Sequence, residues 1–433
     1  MSRGCTCGPH PRLNLTTAYM QYHNQHNNGT SPTTNEELES SCHEKIRQAC
    51  RSHGCFHVSI NLTNTDNNED LPIKCLAKSI AHVEKEMESL FSPLFLENTG
   101  ADLNGGLVDV HFKDGEVATF RGRTAESGDE LQCHPEPKLS WEFHRCRSAI
   151  RADDAREDSF HVENDAWNLL PSWTAALHSV ASVVIHSLGI SQQVVLNEKS
   201  CDCSHKISDN KHYDKELSLE KCNVDLLRCF RYDAIPPDEK DRFGSSPHTD
   251  WGCLTVVFQD DKGGLQTYCH ACEKWSDVVA AVPERNNTTG NTINLFVHVG
   301  DFLSLATHGE GTSHHPPIWP SPRHRVVCPT KELNDECDES SQCRRSLVYF
   351  AYPPPNVSLA DAQAVVEPLI CNDSFESSIV LQNYSLLHDQ SQQQAVSDQL
   401  DRGSQASFES YLKMRRRPFG EVIQEKWDQV QRS

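Results

Sequence analysis

Residues 246–256 read Ser-Pro-His-Thr-Asp-Trp-Gly-Cys-Leu-Thr-Val, and the strongest indication of chemistry in the chain lies in this segment. In an extended segment, residues two positions apart point to the same face. His248 and Asp250 can therefore direct an imidazole nitrogen and a carboxylate oxygen at one cation, and this pair of ligands suits a transition metal. The apolar run that follows, residues 253–258, predicts a buried strand.

The spacing alone is weak evidence for a metal site, because the chain contains 23 histidines. Four other pairs have the same spacing: His82/Glu84, His134/Glu136, His161/Glu163 and His212/Asp214. We expect structural roles for these four, since two lie in helical-looking sequence, where residues two apart diverge, and two lie in polar loops. The pair at 248 and 250 differs because His324 opens a later strand and can complete a face of two histidines and one carboxylate.

A candidate anion site follows His324 in the sequence. Arg344 and Ser346 stand two positions apart in an apolar run, so their side chains share one face of a strand. A guanidinium group and a hydroxyl group together bind a carboxylate well. The pattern therefore predicts an anion site in addition to the metal site.

The part of the chain around these residues alternates short apolar runs with Gly and Pro. Seven short strands are predicted, at residues 226–232, 253–258, 264–268, 292–299, 302–306, 324–328 and 346–352. So many short strands in succession are typical of a sandwich, a barrel or a jelly roll.

The flanking sequence predicts mainly helices, together with a strand at 56–62 and a hairpin around 113–115. Helical patterns run from Asn35 to Gly54, from 73 to 90 before Pro93, and from 173 to 188 before Gly189. The predicted organisation is a disordered N-terminal arm at 1–34, a helical and mixed region at 35–224 that packs on the barrel, a β domain at 225–371, and a C-terminal helical tail at 372–433.

The composition favours a globular protein and argues against several classes of partner. Hydrophobic residues make up 37% of the 433 residues, which argues against collagen-like, coiled-coil and wholly disordered chains. The net charge of -21 opposes binding to nucleic acid and to anionic membranes. The sequence begins without a signal peptide and has no apolar run long enough for a membrane span, so we expect a cytoplasmic protein whose 19 cysteines are mostly thiols.

Together these motifs resemble the isopenicillin N synthase-like branch of the Fe(II)/2-oxoglutarate-dependent dioxygenases, in their order as well as in residue type. The matching positions are His248, Asp250, Leu254 and Thr255; Gly263, Gly264, Leu265 and Gln266; Gly300 and Asp301; His324, Arg325 and Val326; Arg344, Ser346, Phe350 and Pro353; and, upstream, Gly54-Cys55-Phe56. Two positions depart from the family: His298 stands where Asn is usual, and Phe230 stands where an Asn usually precedes the tyrosine.

The resemblance implies an α+β protein with a mostly β core, in which a double-stranded β-helix, or jelly roll, at 225–371 is flanked by N-terminal and C-terminal helices. It also implies a site with Fe(II), the cosubstrate 2-oxoglutarate, and O2. In that site the iron ligands are His248, Asp250 and His324, and the cosubstrate is bound by Arg344 and Ser346 at its distal carboxylate and by Tyr232.

The function expected from this resemblance is the oxidation of a small organic molecule by hydroxylation, desaturation or cyclisation, with release of succinate and CO2. Two alternatives stay open. The protein could be an Fe(II) oxidase of the same fold that does not use 2-oxoglutarate, in which Arg344 and Ser346 bind a substrate carboxylate. It could also be a catalytically silent binding protein on this scaffold. The substrate and the oligomeric state are not indicated by the sequence.

Other histidines and cysteines are weaker candidates for metal binding. The rival third ligands are His308, His314 and His315, none of which opens a strand or precedes Arg-Val. We expect His298 to be a hydrogen-bonded histidine of the barrel. Cys269 and Cys272 could contribute to a zinc site, which would need further ligands. The nearest are Cys201, Cys203 and His205.

Overall fold

The structure is a computed structural model that describes residues 10–28, 36–61, 86–111, 117–123, 136–144, 165–189, 225–239, 242–270, 272–279, 292–308, 317–331, 342–370, 384–387 and 409–432. The strands in these ranges are β1 (Arg12–Asn14), β2 (Cys55–Asn61), β3 (Leu107–His111), β4 (Val117–Arg121), β5 (Lys138–His144), β6 (Asp225–Tyr232), β7 (Phe243–His248), β8 (Leu254–Gln259), β9 (Leu265–Cys269), β10 (Lys274–Asp277), β11 (Thr292–Val299), β12 (His324–Val327) and β13 (Arg344–Ala351). The helices are α1 (Thr16–Asn28), α2 (Glu36–His53), α3 (Pro93–Thr99), α4 (Asp165–Ser187), α5 (Asp301–Ala306), α6 (Leu359–Ile370) and α7 (Phe419–Arg432).

The strands form two sheets that wind around each other. The larger sheet has the order β1-β2-β11-β8-β13-β6-β5-β4-β3, and the smaller has the order β10-β9-β12-β7. From β7 to β13 the chain alternates between the two sheets, apart from the β9–β10 hairpin, which stays in the smaller one. This alternation is the winding of a double-stranded β-helix, and it confirms the predicted jelly roll.

The inner faces of the two sheets pack on each other. One cluster of buried side chains joins Phe230, Val257 and Val348 of the larger sheet with Leu265 and Val326 of the smaller one. Removing these apolar groups from water stabilises the closed barrel by about 25 cal/mol for each Å² buried. The cluster therefore fixes which side chains of each strand point into the barrel.

Helices α1, α2 and α4 pack on the larger sheet. Helix α4 contacts β6, β8 and β13, and it also contacts α2. The predicted helices over 35–54 and 173–188 are confirmed, and each ends where expected: Gly54 and Gly189 adopt φ angles of 67° and 78°. These left-handed conformations are inexpensive only for glycine, which explains why both helices end there.

The N-terminal arm differs from the prediction of disorder over 1–34. Residues 10–28 contain strand β1, which pairs in parallel with β2, and helix α1. Leu15, Ala18, Tyr19 and Tyr22 are buried in the main core, and the hydroxyl of Tyr19 lies 2.8 Å from the hydroxyl of Ser179 in α4. These four positions are spaced three and four residues apart, as one face of a helix requires. The polar residues between them obscure this pattern in the sequence.

Two further element predictions were wrong or incomplete. Residues 302–306 were expected to form a strand but belong to α5, because a short apolar run buried on all sides carries no period that separates strand from helix. Strand β7 was missed because it contains Ser245, Ser246 and Pro247, which are unusual in strands. The predicted helical segment 73–85 and the polar segment 197–218 lie outside the described residues.

The larger sheet crosses the predicted domain boundary at residue 224. Strand β5 pairs with β6 along its whole length, and β2 pairs with β11 from Cys55 to Asn61. The region at 35–224 therefore contributes strands to the barrel sheet as well as helices on its surface. Among the helices that the structure describes, none combines the length and the apolar character needed to cross a membrane.

Candidate metal and anion site

Three side chains from two elements and a loop converge inside the barrel. His248 ends β7 and His324 begins β12, and the two residues are direct partners in the antiparallel pairing of these strands. Asp250 follows in the loop before β8. One potential ligand atom from each residue lies within 4.8 Å of the other two. Strand pairing thus brings together residues that are far apart in the sequence.

The two histidines are oriented by backbone carbonyl groups. Nδ1 of His248 donates a hydrogen bond to the carbonyl of Ser246 at 2.6 Å, and Nδ1 of His324 donates one to the carbonyl of Pro322 at 3.1 Å. Because a carbonyl only accepts, each neutral ring carries its proton on Nδ1 and keeps a lone pair on Nε2. These Nε2 atoms lie 3.6 and 3.7 Å from Oδ1 of Asp250, so three lone-pair atoms surround one small space.

The electrostatics of the group favour a bound cation. Burial alone would raise the pKa of Asp250, but His324, His248 and His298 around it outweigh burial and hold the pKa well below its usual range. Burial, followed by the neighbouring His248, lowers the pKa of His324 to about 3. Asp250 ionised and His324 neutral are the protonation states that a metal requires of these two residues. Burial would lower the pKa of His248, but the hydrogen bond and the charge of Asp250 outweigh burial and raise it.

The second oxygen of Asp250 has its own partners. Oδ2 accepts a hydrogen bond from Oγ1 of Thr255 at 2.5 Å and lies 3.3 Å from Nε2 of His298. His298 is fully buried in the barrel, as predicted for a barrel histidine. Its proximity to Asp250 was not predicted, since only the departure from the family's usual Asn marked the position.

The loop between the two ligands is tied to the C-terminal part of the chain. Thr249 donates its hydroxyl to Oδ2 of Asp301 at 2.9 Å, and the same oxygen accepts the backbone N–H of Leu386 at 2.8 Å. Thr249 also exchanges hydrogen bonds with Ser385. Burial is the main reason that the pKa of Asp301 rises to about 7. Residues 384–387 therefore support the loop between His248 and Asp250.

The candidate anion site lies on β13. The guanidinium group of Arg344 is buried and donates hydrogen bonds to Oγ of Ser346 and to Oε1 of Gln259, each at 3.2 Å. Within the described part of the chain, no carboxylate forms an ion pair with Arg344. A buried charge without a counter-charge is costly, so this position calls for an anionic ligand.

Tyr232 is the direct strand partner of Arg344, and the guanidinium group lies 4.6 Å from the centre of its ring. Phe230, which replaces the family's Asn, stacks on the Tyr232 ring with centroids 5.6 Å apart. A cavity of about 160 Å³ is lined by Arg344, by the turn at 262–264, and by Val327 and Cys328. Tyr232, Arg344 and Ser346, which were predicted to bind the cosubstrate, are thus adjacent to each other on the inner face of the larger sheet.

Glu136 and Lys138 also reach the site, although no sequence pattern selects them. Oε1 of Glu136 accepts the backbone N–H of Ser246 at 2.6 Å, and Oε2 lies 2.6 Å from Nζ of Lys138. Lys138 is the strand partner of Tyr232 on the side opposite Arg344. These contacts join β5 to the ligand strand β7, and no local pattern indicates so distant a pairing.

The rival ligands do not join the group in the part of the chain that the structure describes. His308 is buried and contacts the ring of Tyr411 edge-on, with centroids 5.1 Å apart. Among the described residues, the only set of His, Cys, Asp or Glu with metal-like geometry is His248, Asp250 and His324. His314 and His315 lie outside the described residues, as do Cys201, Cys203 and His205, the remaining ligands of the zinc hypothesis.

Two histidines and one aspartate that converge in a jelly roll are the arrangement typical of a non-haem Fe(II) site. Residues 224–353 match the family model described as the 2OG-Fe(II) oxygenase superfamily. Over these residues the chain is similar to that superfamily. The nitrogen and oxygen donors of His248, Asp250 and His324 suit the Fe(II) of that superfamily, and the guanidinium group of Arg344 suits its 2-oxoglutarate.

Curated relatives match over parts of their length. The chain is 31% identical over 157 residues to the 2-oxoglutarate-dependent dioxygenase frbA of Dothideomycetidae sp. (strain 11243), covering 36% of this chain and 41% of that protein. It is 51% identical over 118 residues to a 1-aminocyclopropane-1-carboxylate oxidase of Dictyostelium discoideum, covering 27% and 25%. The matches thus span less than half of these relatives. A solved structure of a full-length Neurospora crassa protein in complex with alpha-KG matches 87% of this chain and 97% of its own at 16% identity, with a TM-score of 0.48.

Proposed function

We propose that the protein is a non-haem Fe(II)- and 2-oxoglutarate-dependent dioxygenase that oxidises a small organic molecule. The observation that carries this proposal is the pairing of a three-ligand group with a buried, uncompensated arginine on the inner face of one barrel. A metal with only three protein ligands keeps open positions, and a guanidinium group beyond them can hold an acid that chelates the metal.

Each residue of the site has one role in this proposal. His248, Asp250 and His324 bind Fe(II), which would supply the redox chemistry that reduces O2. Arg344 and Ser346 bind the distal carboxylate of 2-oxoglutarate, and Tyr232, whose ring packs against the guanidinium group, contributes to binding the same cosubstrate. In a hydroxylation, one oxygen atom of O2 enters a C–H bond of the substrate, and the other enters succinate as 2-oxoglutarate loses CO2.

The test uses the metal-to-ligand charge-transfer band that 2-oxoglutarate produces when it chelates Fe(II). Anaerobic addition of Fe(II) and then 2-oxoglutarate to the wild-type protein should produce this visible band. The His248→Ala variant should lose it, because one of three ligands is missing. His53→Ala, which removes a histidine at the end of α2, is the matched control and should keep the band. A wild-type protein that binds no iron would contradict the proposal and favour a silent scaffold.

A second candidate is an Fe(II) oxidase that does not use 2-oxoglutarate. The observation in its favour is the 51% identity over 118 residues to proteins named as 1-aminocyclopropane-1-carboxylate oxidases. In this case Arg344 and Ser346 would bind a substrate carboxylate. A protein that binds Fe(II), produces no band with 2-oxoglutarate and releases no succinate would favour this candidate over the first.

We also propose the cytosol as the location and a small molecule as the substrate. The described cysteines are all free thiols, as is usual in a reducing compartment. The net charge of -21 repels nucleic acid at long range. Fractionation of cells that express the protein tests the location, and succinate release measured against pools of small molecules tests the substrate class.

A further inference from the structure

The side chain of Arg344 lies between two spaces. On the barrel side its guanidinium group donates hydrogen bonds to Oγ of Ser346 and to Oε1 of Gln259, each at 3.2 Å. On the other side its Nε donates to the carbonyl of Gly263. Gly263 and Arg344 both line the cavity of about 160 Å³, whereas Ser346 and Gln259 do not. Arg344 therefore separates the candidate anion site from this cavity.

The cavity lies beyond Arg344 as seen from the candidate metal ligands. Strand β12 begins with His324 and ends with Val327, which lines the cavity. At about 3.3 Å per residue, Val327 lies about 10 Å along the strand from His324. Its N–H donates to the carbonyl of Gly264 at 2.9 Å, and a Cβ placed at Gly264 would lie 3.6 Å from Cδ of Arg344. An acid that extends from a metal at His324 to Arg344 would therefore point toward the cavity.

The space behind Arg344 is bounded by a glycine turn and opens to water. Gly263 and Gly264, with φ angles of 71° and 87°, have no side chains to fill it. Lys262 and Asp277 line its mouth and are exposed, so the ammonium group of Lys262 can stay in water. The carbonyl of Gly263 and the carboxylate of Asp277 are acceptors on the cavity side. A guanidinium group that moved into this space would therefore keep one hydrogen-bond partner and approach a counter-charge.

We propose that Arg344 is a movable end wall of the site, so that the protein accepts 2-oxoadipate as well as 2-oxoglutarate. The inference rests on the proposed function and adds a second cosubstrate to it. One more methylene lengthens the acid by about 1.5 Å, the length of a carbon–carbon bond. The guanidinium group can retreat by that distance, because the cavity has room for several water molecules. 2-Oxoadipate would lose CO2 and take up one oxygen atom of O2, which gives glutarate in place of succinate.

The experiment compares the two acids in the full chain with Fe(II), by anaerobic titrations that follow the charge-transfer band. A fixed end wall would weaken binding of the longer acid by about 10- to 200-fold, whereas we expect the two dissociation constants of the wild type to agree within about fivefold. Val327 is only partly buried and lines the cavity, so it offers a matched series. Val327→Met fills part of the cavity and should weaken binding of 2-oxoadipate about tenfold more than that of 2-oxoglutarate. Val327→Ala enlarges the cavity and should leave the ratio of the two constants as in the wild type.

A wild-type protein that binds 2-oxoadipate more than about tenfold less tightly than 2-oxoglutarate would overturn the movable wall. So would an unchanged ratio in the Val327→Met variant, because the space behind Arg344 would then not be what admits the longer acid. If the Met variant does not fold, as judged by circular dichroism, Val327→Ile repeats the comparison and should change the ratio in the same direction. A wild-type protein that gives no band with either acid would instead refute the proposed function itself.

Discussion

Arg344 is a buried charge whose surroundings indicate the charge of the ligand that it would bind. Its guanidinium group is enclosed by neutral partners, which are the Gly263 carbonyl, the Ser346 hydroxyl, the Gln259 amide and the Tyr232 ring. The desolvation cost of this cation is not offset by a carboxylate among the described residues, so an anionic ligand gains more here than at the surface. The sequence predicted Arg344 and Ser346 from their spacing. It did not predict Gln259, which reaches the site only through the pairing of β8 with β13.

Replacing this charge should remove most of the affinity for 2-oxoglutarate. We expect Arg344→Gln to weaken binding by on the order of 2 to 5 kcal/mol, because a charged partner of a buried carboxylate is lost. The measurement is an anaerobic titration of the Fe(II) protein that follows the charge-transfer band. Arg345→Gln is the matched control, since Arg345 is the next residue and lies 3.4 Å from Glu88. Equal affinities in the two variants would show that Arg344 does not bind the cosubstrate.

The secondary structure elements differ in how well local sequence predicts them. Strand β11 was predicted with its bounds, because its apolar run is long and β-branched residues are frequent in it. Strand β7 was missed although it carries His248. Its polar residues are explained by the site that it carries and not by a buried sheet face, so it has no apolar pattern by which a strand is recognised. The convergence of His248, Asp250 and His324 was predictable from motif order. The supports at Glu136, His298 and residues 384–387 were not, because each depends on contacts between distant parts of the chain.

The N-terminal segment contributes a contact that depends on protonation. Nε2 of His10 lies 2.7 Å from Oγ1 of Thr267, and the His10 ring packs against His57 and Phe296. Burial, with the nearby His53, lowers the pKa of His10 to about 4. Burial, with His10 and Arg12, lowers the pKa of His57 to about 4 as well. The segment is therefore packed with both imidazoles neutral.

The stability of the protein should decrease as the pH falls from about 6.5 toward about 4, because the unfolded chain binds protons at these histidines that the folded chain does not. Their contribution is complete above that window and is lost within it. The measurement is urea unfolding at several pH values. His10→Gln keeps a side-chain partner for Thr267 and should show a smaller change with pH than the wild type. An identical pH dependence in both proteins would contradict the assignment.

At the scale of the whole molecule, the barrel is not confined to the segment that carries its motifs. The candidate metal ligands and the Arg344/Ser346 pair lie between residues 248 and 346, but β2 and β5 complete the same sheet from the first third of the chain. The predicted domain boundary at residue 224 therefore marks a change in the sequence pattern. It does not separate two parts of the chain that fold independently. Sequence patterns mark where the chemistry is, whereas strand pairing decides which residues must fold together.

A fragment of residues 225–371 should accordingly fail to fold on its own. It would leave β6 without β5 and β11 without β2, exposing long unpaired strand edges that favour aggregation. We expect no cooperative urea transition for the fragment by circular dichroism, in contrast to the full chain measured in parallel. A cooperative transition in the fragment would show that the domain is autonomous.

The contact between Thr249 and Ser385 joins residues 136 positions apart. During synthesis on the ribosome, the loop with His248 and Asp250 emerges long before its support at 384–387 has been made. Domains generally fold as they emerge, but this loop has to wait for a late segment. The restraint on this loop is therefore complete only once residues 384–387 have been made, and a nascent chain stalled before residue 384 would present His248 and Asp250 without it.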